Sequence, residues 1–167
     1  KTFMSLTLGI DPGSYCTGYG LALYEGGRNL YVDSGVIRVG KKKNRAARLK
    51  EIKEQIDRVI ERHDPDDVAI EGIFISKNPR SAFALGEARG VILLAAAQAG
   101  KNIFEYSPRE VKRSVTGSGN AHKSQVASMI SKLLNLEHQP ESSDETDALA
   151  IAFCHLTRQA SRLKGLI

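Results

Sequence analysis

Four carboxylates in three distant stretches are the residues of this chain best suited to chemistry. Asp11 ends an apolar, strand-length run, Leu6 to Ile10, and is followed at once by the breakers Pro12 and Gly13. Glu71 repeats the pattern at the end of Val68-Ala69-Ile70 and precedes Gly72. Asp144 and Asp147 are three residues apart at the start of a helical segment, so they share one face of its first turn. Each position also has an ordinary explanation. Asp11 suits an Asx-type turn before proline, and acids at a helix N-terminus are favoured by the macrodipole without any ligand. Glu71 is harder to explain that way, because a charge at the end of a buried strand needs a partner. If the three stretches converge, the carboxylates repel one another unless cations lie between them. All-oxygen donors suit hard cations such as Mg²⁺ and Mn²⁺, and two such ions about 4 Å apart serve phosphodiester hydrolysis.

The elements that must position these acids are legible from hydrophobic patterning. Two alternating runs, Thr17 to Tyr24 and Asn29 to Val39, are joined by Glu25-Gly26-Gly27-Arg28 and read as a hairpin. With the Asp11 strand they form an antiparallel meander. Leu49, Ile52, Ile56, Val59 and Ile60 make the stripe of an amphipathic helix over residues 46–62, stopped by Asp64-Pro65-Asp66 before the Glu71 strand. Phe74 to Ser81 reads as a loop. Ala82 to Ala99 is alanine-rich and reads as a central buried helix, with Gly86 to Gly90 offering a small-residue surface to another helix. Lys101 to Tyr106 is a fifth strand and Pro108 to Val115 a short helix. After a glycine loop from Thr116 to Asn120, Lys123 to Leu134 is a helix with Val126, Met129, Ile130, Leu133 and Leu134 inward. A polar linker leads to a last helix from about Asp144 to Arg162, capped by Ser142 or Ser143. His63, His138 and His155 read as surface or helix-end residues. The sum is a single α/β domain over residues 1–167 with a mixed five-stranded sheet flanked by helices. Lys1 to Phe3 read as a remnant ahead of a natural start at Met4.

Bulk properties narrow the partners. The chain has 167 residues, enough for a core without staples, and a formal charge of +5 that suits an anionic partner. Two cysteines, Cys16 and Cys154, form neither a disulfide framework nor a metal-ligand spacing, which favours a reducing, cytoplasmic setting. No apolar run reaches the roughly 20 residues of a membrane span. Arg38, Lys41, Lys42, Lys43, Arg45, Arg48 and Lys50 fall in one span without an acid, either a solvated face or a phosphate footprint. Gly117 to Ser124 approaches a nucleotide-binding loop, but His122 occupies the second required glycine position. Phe74, in a polar loop just after Glu71, could stack on an unpaired base. Ser76, Lys77, Asn78 and Arg80 could reach phosphates from the same loop.

Read in order, Gly9-Ile10-Asp11-Pro12-Gly13-Ser14, Ile70-Glu71 followed by Phe74, Glu105-Tyr106, Val111-Lys112, Lys123-Ser124-Gln125-Val126 and Asp144 to Ala150 resemble the RuvC family of Holliday junction resolvases. The likeness runs from about Leu6 to His155. It implies a ribonuclease-H-like fold, a homodimer, and symmetric paired nicks that leave 5'-phosphates in four-way DNA junctions. It implies two Mg²⁺ ions per site, with Mn²⁺ as a substitute, on Asp11, Glu71, Asp144 and Asp147. Lys112 and Lys123 match the family's active-site lysines, Arg113 adjoins the first of them, and the match supports a DNA role for Phe74. A branch-migration helicase complex of the RuvA and RuvB type is the implied partner. Tyr15, where a basic residue is usual, and Gly72, where glutamine is common, depart from the pattern and bear on substrate contacts. Two other classes compete: an actin-like or sugar-kinase-like ATPase, which needs a second half this length cannot hold, and a non-catalytic nucleic-acid-binding module.

Overall fold

The computed structural model describes residues 3–72, 78–163 and 165. Its sheet begins with β1 (Ser5–Asp11), whose Leu8 and Ile10 are fully buried, as expected of a near-continuous apolar strand covered on both faces. Antiparallel β2 (Cys16–Glu25) and β3 (Arg28–Arg38) follow. Their turn places both Gly26 (φ 59°) and Gly27 (φ 82°) in the left-handed region, as a tight primed hairpin turn demands. Helix α1 (Arg45–His63) is capped by the Asn44 side chain, which accepts from the Ala47 N–H at 2.8 Å. It returns the chain to β4 (Asp67–Glu71), parallel to β1. Helix α2 (Pro79–Gln98) leads to β5 (Asn102–Tyr106), parallel to β4. The strand order is β3-β2-β1-β4-β5, the expected meander extended by two parallel strands.

Helices α1 and α2 cover one face of the sheet through Ile52, Ile56, Ile60, Ile92 and the small Ala88 and Ala96. The other face carries α3 (Pro108–Thr116), α4 (Lys123–Leu133) and α5 (Ser143–Leu163). Helix α5 lies directly across β1 and β2, on a saddle made by glycines. A Cβ on Gly9 would meet the Ala148 carbonyl oxygen at 2.1 Å, one on Gly18 the Asp144 carbonyl oxygen at 2.0 Å, and one on Gly20 the Leu149 side chain at 2.7 Å. Gly9 and Gly20 are cross-strand partners. Only hydrogen at these positions lets the helix backbone approach so closely.

Several expectations are corrected. Helix α2 starts at Pro79 rather than Ala82, because Asn78 caps it and Pro79 takes the favoured first position. It is not a buried central helix: Phe83 is 76% and Leu94 50% exposed, and with Gly86, Gly90 and Ala97 they form one outward apolar stripe. On α4, Leu133 faces solvent at 36% exposure rather than the core, and Met129 is only partly buried. His155 is not at a surface. It is 3% exposed, with Nδ1 2.8 Å from the Tyr106 hydroxyl and Nε2 3.0 Å from Asp67, and its ring packs on Phe104. Burial holds its pKa below the usual value even though Asp67 pulls the other way, so a neutral imidazole bridges α5 to β4 and β5.

Candidate active site

Parallel pairing of β1 with β4 puts Ile10 beside Ile70, so the next residues, Asp11 and Glu71, emerge side by side at the same sheet edge. The close seat of α5 on the glycine saddle delivers its first turns to that edge. Asp147 lines a cleft of about 240 Å³ together with Asp11, Glu71, Lys112, Lys123 and the apolar floor of Val111, Val126 and Ile151. Asp144 sits at the rim. Its Oδ2 lies 3.0 Å from the Cys16 Sγ and 3.4 Å from the Ser142 hydroxyl, which in turn accepts from the Asp144 N–H at 3.2 Å. Lys123, the first residue of α4, donates to Asp147 at 2.8 Å. Lys112 reaches the cleft from α3, whose start is fixed by a capping box between Ser107 and Glu110.

The electrostatics record the crowding. Burial, followed by the charges of Glu71, Asp147 and Asp144, pushes the Asp11 carboxyl up to about 7, with Lys123 opposing. Glu71 is likewise raised, first by burial and then by Asp147, while Lys123 and Lys112 oppose. Among the described residues no three Asp, Glu, His or Cys side chains already stand in an ion-holding arrangement, and Lys123 and Cys16 bond to oxygens of Asp147 and Asp144. The donor set nevertheless fits hard divalent cations. It consists of carboxylates, two of which, Asp11 and Glu71, are held partly un-ionised by burial and by their acidic neighbours, and added positive charge would release them.

A stability prediction follows from Asp11. Its folded-state value of about 7 lies above the ordinary 3.8, so the folded protein keeps a proton that the unfolded chain gives up. The stability associated with that proton is present below about pH 4 and is lost as pH rises towards 7, on the order of a few kcal/mol. Thermal melts in chelator should show a decline between pH 5 and pH 8 that is smaller in Asp11→Asn. Mg²⁺ should raise the melting temperature more at pH 8 than at pH 5. Equal declines in the two proteins would remove Asp11 as the cause.

The remaining expected site residues are dispersed. Phe74, Ser76 and Lys77 lie outside the described residues. Asn78 is engaged as the α2 cap, accepting from Arg80 N–H at 3.0 Å, and the Arg80 side chain is exposed beside it. Arg113 does not join the acids. It lines a separate depression with Ser107, Arg109, Glu110 and, from α5, Arg158. The basic run is partly neutralised, by Lys43–Glu51 at 2.9 Å, Arg45–Glu87 at 3.1 Å and Lys50–Glu54 at 3.6 Å, and Arg48 stacks over Tyr15 at 4.8 Å.

Sequence reasoning missed two positioning groups. Arg89, buried in α2, donates to the Glu71 carbonyl at 3.3 Å and pairs with Glu105 at 2.6 Å, fixing the end of β4. An arginine in the middle of the alanine-rich stretch of α2 is the one signal that marked it. Cys16 carried no spacing signal at all.

A central mixed sheet with acids at the adjoining ends of β1 and β4 and a third acidic element crossing from one face defines the ribonuclease-H-like class of nucleases. The yeast mitochondrial Holliday junction resolvase Ydc2 shares this fold, with a TM-score of 0.71 at 13% identity over 96% of this chain and 81% of that one. The chain belongs to the family described as crossover junction endodeoxyribonuclease RuvC, whose sequence model matches residues 7–155. A RuvC from Marinobacter nauticus is 47% identical over 161 residues, 96% of this chain and 91% of the relative. The structure of Thermus thermophilus RuvC in complex with Holliday junction substrate is similar with a TM-score of 0.89 and 31% identity, covering 97% of each chain.

Proposed function

We propose that this protein is a structure-selective endonuclease that resolves Holliday junctions by paired phosphodiester hydrolysis. The observation that carries the reading is the convergence of Asp11, Glu71 and Asp147, with Asp144 at the rim, on a cleft that also holds Lys112 and Lys123. Family membership supports the same substrate. The four acids would hold two Mg²⁺ ions, for which Mn²⁺ can substitute. When bound, the ions supply charge that activates water and stabilises the departing oxygen.

The chain's own residues do the rest. Lys123 and Lys112 present positive charge where phosphoryl oxygens enter and neutralise the charge that develops on them. Arg89 and the Cys16 thiol hold Glu71 and Asp144 in place. As the sequence suggests, Phe74 would stack on a base at the crossover, and Ser76, Lys77 and Arg80 would meet phosphates, with Asn78 contributing beside its role as the α2 cap. Arg113, in the depression shared with Arg158, would contact a flanking arm. Lys112→Ala should slow cleavage at saturating protein by about 10²-fold while changing junction affinity little. A loss confined to affinity would make Lys112 a positioning group instead.

The exposed stripe of Phe83, Gly86, Gly90 and Leu94 on α2 is the face proposed for the homodimer. Nothing lies within 4 Å of a Cβ on either glycine, so a second helix can approach closely there. A twofold dimer sets two sites on symmetric strands of a junction, and Leu94→Glu should yield monomers that bind junctions but no longer nick in pairs. Work in the cytoplasm with a branch-migration helicase complex of the RuvA and RuvB type completes the proposal.

Cleavage of a synthetic four-way junction and a matched linear duplex, with Mg²⁺ or with chelator, tests the function. Paired nicks in the junction alone, and only with metal, are expected. Junction binding without nicks under every metal condition would instead favour a non-catalytic binding module.

A further inference from the structure

A second cationic surface lies on the other face of the sheet from α5, between β3 and α1. Arg58 and Arg62 stand one turn apart on the outer side of α1, and with Gln55, His63 and Arg38 of β3 they line an open groove of about 480 Å³. One acid adjoins it: Asp33 pairs with the His63 Nε2 at 2.9 Å and accepts the Ser34 N–H at 2.9 Å. Among the described residues Arg58 and Arg62 form no ion pair, while Glu54 and Asp57 of the same helix pair with Lys50 and Lys53. Uncompensated arginines gathered around a concavity repel one another and favour an anion between them.

Arg38, at the edge of the groove, also lies close to the acids. Arg38 approaches the Cys16 Sγ at 3.6 Å, and that sulfur is 3.0 Å from Asp144. A basic track therefore leads from the acids, past the end of β3, along α1. We infer that this groove carries the sugar–phosphate backbone of a junction arm as it leaves the catalytic cleft, with Arg58 and Arg62 each engaging a phosphate. The inference rests on the junction-resolving reading and extends it to a surface remote from the chemistry. Guanidinium forks suit phosphate oxygens, and contacts to phosphates carry no sequence information, so the grip is independent of sequence.

The test is the salt dependence of junction binding by the full chain in chelator, for wild type and for Arg58→Gln with Arg62→Gln. Loss of two phosphate contacts should make the slope of log affinity against log salt shallower by about two. The difference should vanish on a junction whose arms are trimmed to a few base pairs, and Arg58→Lys with Arg62→Lys should restore the slope. Cleavage at saturating protein should stay at the wild-type rate. An unchanged slope with long arms, or an equal loss with trimmed arms, overturns the inference. A groove for an acidic protein partner would give that unchanged slope. Either result is independent of the function itself, which fails only if wild type does not cut the junction with Mg²⁺.

Discussion

Asp11→Asn should lower junction cleavage by at least about 10³-fold, corresponding to roughly 4 kcal/mol of transition-state stabilisation, and leave junction binding within a few-fold of wild type. The side chain is nearly isosteric, so the seat of β1 is retained while the central acid of the cluster is lost. Asp11 is the group on which burial and the other three carboxylates act together. Removing its charge also relieves repulsion, so the metal-free variant should melt at a higher temperature than wild type at pH 8. Loss of activity accompanied by loss of stability would point to a structural role for Asp11. Retained cleavage would exclude it from the chemistry.

Gly18→Val should be damaging through packing rather than through charge. The new Cβ would stand 2.0 Å from the Asp144 carbonyl oxygen, a backbone atom that cannot swing aside. Helix α5 must then lift from β1 and β2, at a cost on the order of 3 kcal/mol, and the lift carries Asp144 and Asp147 away from Asp11. Both melting temperature and cleavage should fall, and Mg²⁺ should stabilise the variant much less than wild type. Gly26→Ala tests a different liability, because that residue has φ 59° and nothing within 4 Å of its Cβ. It should lose some stability to backbone strain yet keep normal cleavage once folded. A Gly18→Val protein with unchanged melting and cutting would show that α5 does not owe its position to the saddle.

The sheet and the acids were legible because their signals are local. An apolar run ending in Asp11 before Pro12 and Gly13, and another ending in Glu71, announce strand tips without reference to the rest of the chain. Parallel pairing of the two strands was not written in either run, yet it is what sets the carboxylates side by side. The glycine saddle escaped notice because its meaning is nonlocal: Gly9 and Gly20 become neighbours only in the sheet, and both are needed only when α5 crosses them. His155 was misplaced for the same reason. Its partners, Tyr106 and Asp67, lie 49 and 88 residues away and become visible only when the strands are stacked beneath α5. In α2 the alanine content suggested burial, but composition does not say which face of a helix meets the sheet, and Phe83 and Leu94 fall on the other one. Asn78 reads equally well as a phosphate contact or a helix cap, and its side chain caps α2.

In the proposed mechanism the four acids of one chain hold two divalent cations, even though Lys123 and the Cys16 thiol bond to Asp147 and Asp144 in the structure. The number of Mn²⁺ ions bound per protomer in the junction complex can be counted by paramagnetic resonance of free Mn²⁺ at slightly alkaline pH. Wild type should bind two ions, while Asp11→Asn and Asp144→Asn should each bind fewer with the junction still in place. A wild-type count indistinguishable from that of the two variants would contradict that mechanism and leave the carboxylates without their proposed role.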